Sequence, residues 1–225
     1  MFTGLGDAEN QFRVSKIKTK NMKKIFTILT VVALTTTVSF AQVQWGATAG
    51  LNMANISYSG SGDLDTDMML GIRIGVTADI TLSDVLTLNT GAIYSMKGYS
   101  YEMEMLDFTT FTLSAVDVDI SLNYIEIPLH VSYAVSDQFS LMAGPYIGLL
   151  VGTSVVIDGE DADADTDGIA VMDLGINVGA GFAITDAISV NAGYQMGLTS
   201  IVEEDGDLYN TNILIGMTYS FGGRY

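Results

Sequence analysis

The chain has 225 residues, no Cys, two Pro and 24 Gly, and it combines a positive mean hydropathy with a formal charge of −17. The missing Cys excludes disulfide frameworks, thiolate metal sites and cysteine nucleophiles. No run of 18 apolar residues occurs beyond the N-terminal region, which excludes a helical membrane protein, so the length suits one domain or a single barrel.

Residues 22–41 read MKKIFTILTVVALTTTVSFA. Lys23 and Lys24 form a basic start, Ile25 to Val38 an apolar stretch, and Ser39-Phe40-Ala41 a small-x-small cleavage site. This predicts a secretory signal peptide over 22–41 and a mature domain over 42–225. Residues 1–21 are polar, basic and aperiodic, and read as an extension ahead of the true start at Met22. Beyond residue 41 only Arg73, Lys97 and Arg224 are basic against 24 acidic residues, a formal charge of −21. Such a surface repels a polyanion, so no nucleic-acid partner is expected.

The mature chain alternates with period two almost throughout, which predicts strands with one apolar face. The first strand covers about Val43 to Ala54. The second, Met68 to Leu82, sends Leu70, Ile72, Ile74 and Val76 one way, and Gly71, Arg73, Gly75 and Asp79 the other. A tight turn at Ser83-Asp84 leads to a third strand, Val85 to Lys97, in which Ile93 breaks the pattern by pointing inward. A long connection is expected over Gly98 to Asp119, although Phe108 to Val118 alternates well enough to extend the flanking strands.

The fourth and fifth strands, Leu122 to Val135 and Phe139 to Val151, are joined by a tight turn at Ser136-Asp137. They place Ile125, Ile127, Leu129 and Val131 on one face, and Tyr124, Glu126, His130 and Ser132 on the other. Gly152 to Ile169, with the run DGEDADADTDG, reads as a loop. The sixth strand, Ala170 to Ile184, turns Asp173 and Asn177 inward. The turn at Thr185-Asp186-Ala187 precedes the seventh, Ile188 to Ile201, and the eighth runs from Thr211 to Tyr225.

The bulky aliphatic face opposes a face of glycines, hydroxyls and charges. A soluble barrel packs large apolar residues inside, so here the small polar side reads as a lumen and the aliphatic side as a lipid surface. Long connections follow strands one, three, five and seven, and short ones follow two, four and six. Eight strands with this parity predict an all-β, antiparallel, up-and-down transmembrane barrel with both termini on the periplasmic side. A soluble lipocalin-like binder is the rival that the outward aliphatic faces oppose.

Several stretches resemble the PorT-like outer-membrane β-barrel family, also called the outer membrane protein beta-barrel domain or porin family. They are GATAGLNMANIS at 46–57, YSMKGYS at 94–100, LNYIEIPLHVSY at 122–133, FSLMAGPYIGLLV at 139–151, DLGINVGAGFAI at 173–184 and YQMGLTSI at 194–201. The resemblance implies an exported eight-stranded barrel of the OmpA/OmpX type, inserted into lipid as a monomer by the barrel-insertion machinery. It implies no agreed activity. A C-terminal Phe is common in such barrels; here the last residue is Tyr225.

The inward ionisable residues are Arg73, Asp79, Lys97, Glu126, His130 and Asp173. One reading is an ion path, because charges at membrane depth are expensive and seldom idle. The favoured reading is a plug of paired charges with Glu126 bridged to Arg73 or Lys97, since an eight-stranded barrel is just wide enough for side chains to fill. His130, the only histidine, is four residues from Glu126, roughly 13 Å along a strand and too far for an acid–base pair. No nucleophile motif or phosphate loop occurs, so neither catalysis nor a cofactor is expected.

Asp163-x-Asp165-x-Asp167-Gly168 matches the first half of a calcium-binding loop, but Leu174 stands where the bidentate Glu belongs. A loosely bound divalent cation at Asp163, Asp165 and Asp167 is one reading. A solvated, self-repelling loop tip is the favoured one. The functional expectation is a structural or surface-interaction barrel with four acidic loops. A narrow channel and a secretion accessory of the PorT kind are the alternatives.

Overall fold

The structure, a computed structural model, describes residues 43–59, 66–107, 111–162, 168–202 and 208–221. The expected extension over 1–21, the signal peptide over 22–41 and the Asp163, Asp165, Asp167 triplet all lie outside the described residues.

Ten strand segments follow in chain order: β1 (Val43–Tyr58), β2 (Met69–Thr81), β3 (Leu86–Asp107), β4 (Thr112–Pro128), β5 (His130–Ala134), β6 (Phe139–Ile157), β7 (Glu160–Ala162), β8 (Met172–Ala183), β9 (Ile188–Gly197) and β10 (Leu208–Ser220). β4 and β5 are one span. Pro128 has no N–H to donate, which interrupts the ladder, and Leu129 N resumes it on Pro145 O at 2.9 Å. β7 is a short appendage on β6. The remaining eight spans pair antiparallel with their sequence neighbours, and β1 pairs both β2 and β10, so the sheet closes into an eight-stranded ring. Closure gives every span two hydrogen-bonded neighbours, as strands require in lipid.

The short turns repeat one design. At Ser83-Asp84, Ser136-Asp137 and Thr185-Asp186 the first hydroxyl accepts the N–H three residues on, from Leu86 (3.2 Å), Phe139 (3.1 Å) and Ile188 (3.0 Å). These side chains mimic a backbone turn and hold the hairpins closed.

Two expected connections are instead largely strand. β3 and β4 run on as a hairpin whose register continues to Asp107↔Thr112, so most of Gly98–Asp119 is ladder. Within Gly152–Ile169, β6 continues to Ile157 and turns at Asp158 (φ 51°) and Gly159 (φ 81°) into β7. Asp-Gly with both φ positive is the turn whose twist suits a hairpin. β9 also ends at Gly197, short of the expected Ile201.

This projecting blade inverts the barrel's polarity. In the ring Leu70, Ile72, Ile74, Val76, Ile215 and Met217 are exposed on the outside, while Asn52, Lys97, Glu126, Asp173, Gln195 and Asn212 are enclosed. Past Gly98, the inner side of β3 and β4 carries Tyr99, Tyr101, Ile120 and Val118, and the back carries Glu102, Asp117 and Asp119. A β-bulge makes β6 follow: register shifts between Asn123↔Gly152 and Tyr124↔Leu150, and Val151 is the extra residue. Before it the even positions face inward; after it Thr153 and Val155 do. The buried apolar cluster sits here, at the long-loop end, around Ile56, Leu122, Tyr124 and Ile201.

Candidate functional site

The lumen is built in layers. Its centre is Lys97, on β3 opposite Leu122. The Lys97 Nζ lies 2.6 Å from Glu126 Oε1 and 2.9 Å from Asp173 Oδ2. Arg73 reaches the other Glu126 oxygen from β2 at 3.3 Å. Lys97 and Glu126 are 0% exposed and Asp173 1%, so water does not solvate these charges. Burying an ion costs several kcal/mol unless its partners are close and its remaining hydrogen-bonding capacity is filled. Two cations face two carboxylates, so the layer is formally neutral.

Neutral groups complete it. Tyr146 Oη donates to Asp173 at 3.2 Å and Asn210 Nδ2 donates to it at 3.0 Å. The Lys97 Nζ lies 4.2 Å from the Tyr146 ring centre and 5.3 Å from that of Tyr124. A cation over a desolvated aromatic face gains electrostatic attraction from the ring quadrupole. The network thus draws on β2, β3, β4, β6, β8 and β10 and ties opposite walls together.

Gly175 makes room for it. A Cβ there would stand 2.4 Å from Tyr146 Cε1 and 2.3 Å from Met196 O, so only a residue without a side chain lets the tyrosine cross the lumen.

One wall of the lumen is an amide row. Asn177, Gln195 and Asn212 are in register across β8, β9 and β10, and all are buried. Asn212 Nδ2 donates to Gln195 Oε1 at 3.0 Å, while Asn177 Oδ1, Gln195 Nε2 and Asn212 Oδ1 have no partner among the described residues.

The six ionisable residues named from the sequence therefore do not form one cluster. Arg73, Lys97, Glu126 and Asp173 are joined. Asp79 lies six residues along β2 from Arg73, roughly 20 Å toward the turn end, where Asn89 Nδ2 donates to its Oδ1 at 2.7 Å. Ser132 Oγ donates in turn to Asn89 Oδ1. His130, paired with Asn89 in register, is 5% exposed, and its Nε2 has no partner among the described residues. The cause is strand rise: charges on one face of one strand are separated by whole layers.

Tyr124, Tyr146, Asn210 and Gln195 are buried in the lumen without carrying a formal charge. Tyr124, Tyr146 and Gln195 show inward parity within their expected strands, whereas Asn210 precedes the expected start at Thr211 and joins the ladder because β10 begins at Leu208. Among the described residues no three His, Cys, Asp or Glu side chains are placed to hold a metal ion. The arrangement holds walls together; it aligns no base with a nucleophile.

The family described as outer membrane protein beta-barrel domain matches residues 40–203. The chain belongs to that family. Its membership places this ring in the outer membrane, with the aliphatic faces against lipid. The chain also has a distant similarity to several solved structures. Neisserial surface protein A is 17% identical over 79% of this chain and 97% of its own, with a TM-score of 0.49. Ail, the attachment invasion locus protein of Yersinia pestis, is 14% identical over 80% and 99%, with a TM-score of 0.43. OprG from Pseudomonas aeruginosa is 10% identical over 80% and 94%, with a TM-score of 0.32. No curated protein matches the chain.

Proposed function

We propose that this outer-membrane barrel is a closed scaffold that presents its acidic long-loop end at the cell surface, with both termini in the periplasm, and passes no solute. One observation carries the reading: Lys97 is clamped between Glu126 and Asp173 at 2.6 and 2.9 Å with all three side chains enclosed, in a layer that spans the lumen. A pore needs a hydrated path, and here paired charges and two tyrosines take its place. The alternation of short turns and long connections supports the orientation. Single-channel recording in planar bilayers tests it. The expected trace is flat; stable conductance steps from folded protein would replace the scaffold with a pore.

A narrow channel is the second reading, favoured by the unpartnered amide atoms of Asn177, Gln195 and Asn212 along one wall. It predicts small, cation- or proton-carried currents that vanish in the Gln195→Leu variant. Such currents would be far below those of an open porin.

A further inference from the structure

The blade and the segments beside it line an open cup of about 240 Å³ at the long-loop end. Tyr99, Tyr101, Ile120, Val155, Ile169 and Ile201 line it. The Tyr99 and Tyr101 rings stack at 6.2 Å and form one aromatic wall. Leu122, 1% exposed, also lines it and clusters with the buried Tyr124. Protein interiors leave few voids larger than a water molecule, and an apolar cavity of roughly 150 Å³ takes a benzene ring. This one is larger and apolar in most of its lining, with Tyr99, Tyr101 and Thr153 as its hydroxyl-bearing residues.

Charge narrows the ligand class. Arg73 and Lys97, the only Lys or Arg among the described residues, are in the lumen network. The back of the blade carries Glu102, Asp117 and Asp119, with Glu102 opposite Asp117 in register. A carboxylate, phosphate or sulfate entering the cup would meet negative potential and no counter-charge, whereas a cation would be drawn in.

We propose that this cup binds a small aromatic or alicyclic molecule, neutral or cationic and about the size of a fused bicyclic ring, and holds it without passing it on. Its exposure to the medium rests on the orientation proposed above; its capacity to bind does not.

The test uses the mature chain in lipid nanodiscs, with amide NMR shifts followed during titration with indole, tryptamine and indole-3-acetate. Indole and tryptamine should give saturable shifts confined to amides around Tyr101, Ile120, Val155 and Ile201. Tryptamine should bind more tightly as salt is lowered, and indole-3-acetate at least tenfold more weakly than indole. Val155→Trp, which fills the cup, should abolish the shifts, while Ile215→Trp on the lipid face should leave them. If Val155→Trp does not fold, Val155→Phe serves, with weakened binding expected. Non-saturating shifts spread over lipid-facing amides such as Ile74 and Ile215 would show partition into lipid and overturn the site. Equal binding of indole-3-acetate would overturn the charge class, and no shift at all would overturn the proposal. A reversed orientation leaves these results intact, so the two readings fail separately.

Discussion

Lys97 Nζ stands 4.2 Å from the centre of the Tyr146 ring, and the hydroxyl of that ring donates to the Asp173 carboxylate that Lys97 itself reaches at 2.9 Å. The tyrosine thus neighbours the cation with its face and the anion with its edge. Neither charge is left to water, and the strands that carry the three residues, β3, β6 and β8, are locked at one height.

Removing the central cation should be severe. Lys97→Met leaves Glu126 and Asp173 buried with only Arg73 as a formal counter-charge, and breaking a buried pair costs about 3–5 kcal/mol. Denaturant unfolding of refolded protein should show this loss. The Lys97→Met/Asp173→Asn double variant, neutral again, should recover part of it; a double variant less stable than the single would contradict the charge argument.

Glu126→Ala separates stability from transport. It strips Arg73 and Lys97 of a shared partner, so the unfolding midpoint should fall. Tyr124, Tyr146 and Lys97 still occupy the lumen, so bilayer recordings should stay flat. A large new conductance would show that Glu126 closes a pore.

Gly175→Val should act through Tyr146 and through the Met196 carbonyl. Its side chain would occupy the space of the Tyr146 ring, and overpacking of this kind costs about 1–3 kcal/mol. Pairing it with Tyr146→Ala should relieve only the part of the defect that the ring causes and leave the clash with Met196 O, a split that a double-mutant cycle would measure.

The inversion of polarity between ring and blade predicts opposite tolerance to charge. Ile215 is 53% exposed on the outside of β10, and an arginine at the mid-depth of a lipid-facing strand costs about 2–4 kcal/mol. Ile215→Arg should therefore slow insertion into vesicles and lower stability by that order. Glu102→Arg, on the back of the blade, should stay within about 0.5 kcal/mol of the parent, as exposed surface changes do.

Because the chain has no Cys, its orientation can be read with single-cysteine variants. Asp161→Cys on β7 should react with an impermeant maleimide on intact cells, and Asp186→Cys in the β8–β9 turn only after the envelope is opened. The reverse pattern would invert the barrel. Electrophoretic mobility with and without boiling should show the shift of a closed barrel for both variants.

Much of the ring was legible from residue types alone, because a strand's two faces meet different solvents and write that difference at every second position. Ile72, Ile74 and Val76 against Gly71, Arg73 and Gly75 is enough to orient β2. The repeated hydroxyl-Asp pairs at Ser83, Ser136 and Thr185 marked the short turns. Legibility stopped where the environment changed. Beyond Gly98 the same period two continues, but the apolar side now faces inward, so a strand looked like a loop with traces of alternation. At Val151 one extra residue reversed the parity of β6, which no count of alternation anticipates without the partner strand.

By itself, then, the sequence determined which residues face lipid and which face the axis, that the chain crosses as strands, and that its long connections gather at one end. These follow from local rules of alternation and turn chemistry. Only the tertiary structure decided which inward residues meet. Closing the ring brought Lys97 to Glu126 and Asp173, left Asp79 and His130 in lower layers, and set Tyr146 across the lumen in the space Gly175 leaves open. Those contacts depend on stagger between strands and on the width of the closed ring, which are properties of all eight strands together and of none of them alone.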